Sequence, residues 1–117
     1  MTVAIVDYGS GNLKSATKAF ERAMKVARLD YDVILTKRPS DLDIASHIVL
    51  PGVGAFADCK RGLSRIPDME RALEENVRHK KKPFLGICVG MQLMATIGRE
   101  HIDTEGLGWL AGDIVPL

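Results

Sequence analysis

Short apolar runs alternate with longer amphipathic stretches along this chain, and that order constrains the fold more than any other feature. Val3-Ala4-Ile5-Val6 is continuously apolar and ends at Asp7, as suits a strand buried on both faces. Tyr8-Gly9-Ser10-Gly11-Asn12 is turn chemistry. Apolar residues then recur at Leu13, Ala16, Phe20, Ala23 and Ala27, the period of a helix with one buried face, for which Asn12 is the expected N-cap. Val33 to Leu35 forms a second strand, and Ser40 is expected to cap a short helical turn through Asp43. Ile48-Val49-Leu50 is a third strand, stopped by Pro51-Gly52-Val53-Gly54. Ala55 to Leu63 is weakly helical. A better helix is expected to start at Pro67 and to bury Met69, Leu73 and Val77. Its early Asp68 and Glu70 and its late Lys80, Lys81 and Lys82 follow the order that a helix dipole favours. Pro83 to Ile87 is a fourth strand, Val89 to Ile97 a fourth helix, Gly98 to Gly108 a loop, and Gly112 to Val115 the start of a fifth strand.

Strands that alternate with helices imply parallel βαβ units, hence an α/β fold in three layers around a mostly parallel sheet. A chain of 117 residues supports one domain. Its 46% apolar and 26% charged residues argue against global disorder. A net charge of +1 offers no basic field for nucleic acid, and no apolar run approaches the ~20 residues that span a bilayer. The N-terminal segment reads as a strand and not as a signal peptide. Two cysteines, Cys59 and Cys88, are too few for a disulfide scaffold and are not spaced as metal ligands. A reducing, cytoplasmic setting without metal or cofactor is the expectation.

In such sheets ligands bind outside the carboxyl ends of the strands, where the loops after Asp7, Leu50 and Ile87 gather. Gly86-Ile87-Cys88-Val89-Gly90 is the strongest local signal there. A G-x-C-x-G pattern between a strand and a helix has the mechanics of a nucleophile elbow. A sharp turn lifts the thiol above the sheet, and flanking glycines let strand and helix approach. The helix N-terminus would face the thiolate, and the Val89 amide would become an oxyanion donor. A buried structural cysteine between packing glycines also fits the pattern, but the strand-end position favours the nucleophile.

In Pro51-Gly52-Val53-Gly54, two glycines around one residue permit a backbone flip that would turn an amide toward an oxyanion, although a plain tight turn has the same composition. Gln92 lies one helical turn after Cys88, on the same face. Cys59 reads as a small buried hydrophobe, Met91 and Met94 as core filling, and the lysine run as a solvated helix end. Tyr8-Gly9-Ser10-Gly11 lacks the third glycine of a dinucleotide loop and the Lys-Ser/Thr of a P-loop.

GICVGMQLM resembles the nucleophile segment of class I (triad-type) glutamine amidotransferases. AIVDYGSGNL, IVLPGVGAF and EGLGWLAGDIVPL, in order and over the whole chain, narrow the resemblance to the glutaminase subunits of imidazole glycerol phosphate synthase. The resemblance implies a flavodoxin-like class I amidotransferase fold and hydrolysis of L-glutamine to glutamate and ammonia. The ammonia would pass through a tunnel to a (β/α)8-barrel cyclase partner in histidine biosynthesis, the two subunits forming a heterodimer. It makes Cys88 the nucleophile that forms the glutamyl thioester. Gly52 and Val53 would lie in the oxyanion strand, with Val89 as the second amide. Gly90 and Gln92 would border the glutamine pocket, and Asn12 would face the cyclase.

Members of that family carry a catalytic His and Glu near the C-terminus, in an H-x-E-type segment. The three histidines here are His47, His79 and His101. His47 precedes the third strand and His79 ends a helix leading into the far end of the fourth, so both belong opposite Cys88. His101 sits in a polar loop. The expectation is therefore residues 1–117 as the N-terminal portion of a single amidotransferase domain, truncated at the C-terminus, holding the nucleophile without its base and not competent alone. The alternative is a non-catalytic flavodoxin-like module that binds a small anion on the loops after Asp7 and Leu50. A response regulator would need clustered acids after the first strand. A DJ-1-type cysteine protein would need an acid and a His near the Cys, where residues 89–93 read Val-Gly-Met-Gln-Leu.

Overall fold

β1 (Thr2–Val6) is the inner strand on which the fold is built. In the computed structural model, which describes all 117 residues, it pairs in parallel with β2 (Asp32–Thr36) on one side and β3 (His47–Leu50) on the other. β4 (Phe84–Gly86) adds in parallel to β3, giving the order β2-β1-β3-β4. The β2-β1-β3 arrangement reverses direction between β1 and β3, and a crevice at such a switch point lies outside the carboxyl ends of those strands.

Side chains alternate across β1 as the two-residue period requires. Val3 and Ile5, with Val49 of β3, face the long helix α1 (Leu13–Ala27), which lays Leu13, Ala16, Phe20 and Met24 on them. Ala4 and Val6, with Ile48 and Leu50, face the other layer. There Leu42 of α2 (Pro39–Ile44), Phe56, Cys59 and Leu63 of α3 (Phe56–Ser64), and Met69, Ala72 and Leu73 of α4 (Met69–Leu73) complete the larger core. The chain thus forms the expected three-layer α/β fold.

The two faces are unequally covered. Register places Leu35, Ile5, Val49 and Leu85 in one row under α1. Ile5 and Val49 are buried, whereas Leu35 and Leu85 are 44% and 50% exposed. One helix, none of whose own residues is fully buried, shields the centre of this face and leaves its margins bare.

The C-terminal third departs from the sequence reading. The helix expected over Val89–Ile97 is a single turn, α5 (Val89–Gln92), and Ala95–Arg99 is strand β5. The carbonyls that would carry the helix onward are taken by distant amides. Leu107 N–H bonds Leu93, Trp109 and Leu110 both bond Met94, and Gly108 bonds Ala95. These non-local bonds override the helical period of the methionine-rich segment.

The expected loop over Gly98–Gly108 contains β6 (Asp103–Glu105), antiparallel to β5. The expected fifth strand is β7 (Leu110–Ile114), and it pairs with β5 in a separate three-stranded sheet, not with β4. That small sheet docks through Gly98 against the Phe56 ring and through Trp109, which meets Phe84 edge-on at 5.1 Å and donates its indole N–H to Glu74 at 2.8 Å.

Two helix starts also shift. Pro39 opens α2, so Ser40 lies inside it. Thr36 ties the entry instead, accepting the Arg38 N–H at 2.9 Å and donating to Asp41 at 2.6 Å. The Pro67 helix begins at Met69, after Asp68 at φ 66°, and widens into a π-helical turn over Glu74–His79. The Asn12 cap stands as expected, its side-chain oxygen accepting the Ser15 N–H at 3.2 Å. Asn12→Ala is expected to lower unfolding free energy by about 1 kcal/mol, read as a shift of the urea midpoint at constant slope.

Candidate functional site

β4 and α5 meet at Cys88, and the turn between them is held from both sides. Ile87 N–H extends the β3 pairing to the Leu50 carbonyl at 3.0 Å. Beyond the turn, Met91 and Gln92 N–H groups converge on the Cys88 carbonyl at 3.0 and 3.1 Å. Cys88 itself has φ 54° and ψ −121°, a region that L-residues enter only at a cost of order 1–3 kcal/mol. Glycine makes the turn possible. A Cβ on Gly86 would stand 2.7 Å from the Met91 Cα, and one on Gly90 would collide with the Leu50 carbonyl. The Cys88 residue is exposed, Cys59 is buried, and both thiols are free. Because α5 is one turn long, the helix dipole behind Cys88 is shorter than the sequence suggested.

Pro51-Gly52-Val53-Gly54 follows β3 and lies against α5. A Cβ on Gly52 would fall 2.5 Å from the Tyr8 phenol oxygen and 2.9 Å from the Gly90 nitrogen, so only glycine fits. The Gly52 carbonyl accepts the Val89 N–H at 3.2 Å. The Val53 N–H, on the same peptide group, points the other way and bonds Ser10 Oγ at 3.0 Å. The two amides expected to face an oxyanion are therefore both satisfied within the protein. The motif residues Gly52, Val53, Val89 and Gly90 are brought together, and Gln92 is half-buried at the end of α5.

Beneath this segment lies a cluster that sequence reasoning missed. Cys59 Sγ sits 3.1 Å from Ser10 Oγ and 3.2 Å from the Val53 carbonyl, which Ser10 Oγ also approaches at 3.0 Å. The Tyr8 hydroxyl donates to the Pro51 carbonyl, and burial, reinforced by the Cys59 thiol, pushes its pKa well above the usual phenol value. Cys59 is buried in the larger core, as expected of a small hydrophobe, and its thiol in addition meets two polar partners there. No local pattern shows this. Its partners lie 49 and six residues away, and only the β1–β3 pairing joins them.

The loop amides offer little to an external anion. Gly9 N–H turns back to the Asp7 carboxylate at 3.3 Å and Val53 N–H to Ser10. The cleft of about 580 Å³ beside α1, lined by Tyr31, Met24 and Ile34 among others, touches none of the site residues. His47, at the start of β3 and the opposite end of the sheet from Cys88, meets the Tyr31 ring at 5.7 Å with the planes tilted by 46°, and bonds Ser46. His79 is paired with Glu75 at 3.0 Å. His101 is exposed in the β5–β6 turn.

A parallel sheet with a strained cysteine between its last strand and a short helix has the geometry of a nucleophile elbow. Residues 4–107 match the family model for glutamine amidotransferase class-I, and the chain belongs to that family. It is similar to the imidazole glycerol phosphate synthase subunit HisH of Rhodopseudomonas palustris, 58% identical over 117 residues, all of this chain and 54% of that one. It is likewise 58% identical over 115 residues to the HisH subunit of Rhizobium meliloti, covering 98% of this chain and 53% of the relative. The HisH subunit of Agrobacterium fabrum is 57% identical over 117 residues, with 54% of it covered. The chain spans about half the length of the curated relatives it matches. No helix is long and apolar enough to cross a membrane.

The burial difference between the thiols has a direct readout. Titration of the folded protein with a disulfide reagent is expected to modify Cys88 rapidly and Cys59 only after denaturant is added. Fast modification of both would contradict the buried Cys59 cluster.

Proposed function

We propose that this chain is the nucleophile-bearing, N-terminal portion (residues 1–117) of a single glutamine amidotransferase domain, the glutaminase subunit of imidazole glycerol phosphate synthase. In this reading it works in the cytoplasm, hydrolyses L-glutamine to glutamate and ammonia, and delivers the ammonia to a (β/α)8-barrel cyclase in histidine biosynthesis. The observation that carries it is Cys88, exposed at φ 54° in a glycine-flanked turn, with the Gly52–Val53 peptide packed against the next residue. Full-length similarity of this chain to HisH subunits supports the choice of branch.

The Cys88 thiolate attacks the glutamine side-chain carbonyl carbon, and the carbonyl electron pair moves onto oxygen. That oxyanion needs two N–H donors. Rotation of the Gly52–Val53 peptide supplies both at once. It withdraws the Gly52 carbonyl from the Val89 N–H and turns the Val53 N–H away from Ser10. Collapse expels ammonia, which takes up a proton as the C–N bond breaks, and water then hydrolyses the thioester. Gly90 and Gln92, on the turn after Cys88, would border the glutamine side chain. Asn12 is exposed on the loop after β1, at the same end of the sheet as Cys88, which supports its placement toward the cyclase.

Labelling tests the assignment. 6-Diazo-5-oxo-L-norleucine is expected to modify Cys88 and spare Cys59 in the complete gene product, with L-glutamine protecting. Modification that glutamine does not slow would overturn the reading. The proton for the leaving ammonia is the weak point of the 117-residue polypeptide taken alone, because no histidine in it is hydrogen-bonded to Cys88. Loss of a triad member costs on the order of 10⁴ to 10⁶ in kcat. Ammonia release by that polypeptide at pH 7 to 8 is therefore expected to equal that of its Cys88→Ala variant.

A further inference from the structure

Resting on that reading, we propose that Tyr8 and Cys59 are positioning residues for the oxyanion segment. They pin the carbonyls on either side of the Gly52–Val53 peptide, so that this one peptide unit rotates alone. The Pro51 carbonyl, on the N-terminal side, receives the Tyr8 hydroxyl. The Val53 carbonyl, on the C-terminal side, receives the Cys59 thiol at 3.2 Å and the Ser10 hydroxyl at 3.0 Å. The pivoting peptide lies between them, its carbonyl on Val89 and its N–H on Ser10.

A peptide plane turns about the ψ of the residue before it and the φ of the residue after it. Gly52, with no Cβ, meets that rotation with the least steric resistance. If the flanking carbonyls were free, the rotation would spread into the neighbouring peptides and the Val53 N–H would have no fixed destination. An oxyanion donor is effective only when its direction is set before charge develops.

Cys59 has a second part in this arrangement. Before rotation, Ser10 Oγ accepts the Val53 N–H. After it, that acceptor site is vacant, and the Cys59 thiol, 3.1 Å away, can turn its one proton there while the Ser10 hydroxyl it then supports holds the Val53 carbonyl. The cluster therefore has a satisfied hydrogen-bond pattern in both orientations of the peptide, which removes the cost of leaving a partly buried acceptor unpaired. Tyr8 keeps its role throughout. Buried at 6% exposure beside Cys59, its phenol stays protonated and remains a donor across the working pH range.

The test compares two reagents on Cys88 in the complete gene product. 5-Oxo-L-norvaline, the γ-aldehyde analogue of glutamine, adds reversibly. The sulfur bonds the aldehyde carbon, the C=O π pair moves to oxygen, and that oxygen takes the thiol proton while lying in the oxyanion position. Iodoacetamide alkylates the same sulfur with loss of iodide and develops no oxyanion. Tyr8→Phe and Cys59→Ala are each expected to weaken aldehyde binding about tenfold, the effect of one hydrogen bond. Iodoacetamide rates should change less than about twofold, since the elbow is untouched. Cys59→Ser, which keeps a donor, is expected to restore most of the lost affinity. Unchanged aldehyde affinity in both variants would overturn the proposal. So would equal losses with both reagents, or a Cys59→Ser variant no better than Cys59→Ala, since each would mark a packing role only. Absence of any aldehyde adduct in the parent protein, together with unprotected diazo-oxonorleucine labelling, would instead overturn the glutaminase reading itself and the positioning role with it.

Discussion

The close approach of α5 to the end of β3 is the contact on which the rest of the site depends. Gly90 lies so near the Leu50 carbonyl that no Cβ fits between them, and the Val89 N–H closes on the Gly52 carbonyl at 3.2 Å. A residue of any other type at position 90 would push the helix off the strand, and with it the amide that faces the Gly52–Val53 peptide. Gly86, against the Met91 backbone, serves the same approach from the β4 side. Two glycines thus convert an ordinary strand-to-helix connection into one that can hold Cys88 at φ 54°. The strain there is sustained because hydrogen bonds on both flanks over-determine the turn.

That contact works only because the parallel register delivers the right ends to one place. β1, β3 and β4 run in the same direction and pair in sequence-distant order. The loop carrying Tyr8 and Ser10, the segment Pro51–Gly54 and the Cys88 turn consequently emerge side by side, although the first and last are 80 residues apart in sequence. The β1–β3 pairing is what sets Ser10 against Val53 and Tyr8 against Pro51. The same geometry keeps His47 away, because it begins the strand whose far end carries Pro51.

Wherever one stretch of chain carries its own signal, the fold was legible in the sequence. The apolar run Val3–Val6, the period of α1 with its Asn12 cap, and the glycines around Cys88 each specify their local structure with little help from elsewhere. Reading failed where distant backbone groups decide the outcome. Leu93, Met94 and Ala95 look helical, yet their carbonyls are claimed by Leu107 to Leu110, and β5 forms in place of the rest of the helix. The strand near the C-terminus was found but assigned to the wrong sheet, since periodicity says nothing of partners. At the site, the motif residues were identified individually, whereas the Tyr8–Ser10–Cys59 cluster was not. Its members look like a turn tyrosine, a turn serine and a spare core cysteine until strand pairing brings them under Val53.

The site is prepared unevenly, and the imbalance follows from the chemistry of its parts. Cys88 is fixed by backbone bonds and glycine packing that reaction need not disturb. The two amides proposed as oxyanion donors each rest on a protein acceptor; Val53 is exposed, whereas at buried Val89 an unpaired N–H would cost about 1–3 kcal/mol. If the proposed roles hold, activation of such a centre is a matter of exchanging hydrogen bonds and requires no movement of elements. The Gly52 carbonyl would give up Val89, Ser10 would give up Val53, and the oxyanion and the Cys59 thiol would take the places left. An exchange between two nearly satisfied states needs only a modest bias to tip it. In the proposed reading, a nucleophile that is always presented, beside donors that are presented only on exchange, keeps the thiol competent while withholding the stabilisation that hydrolysis requires.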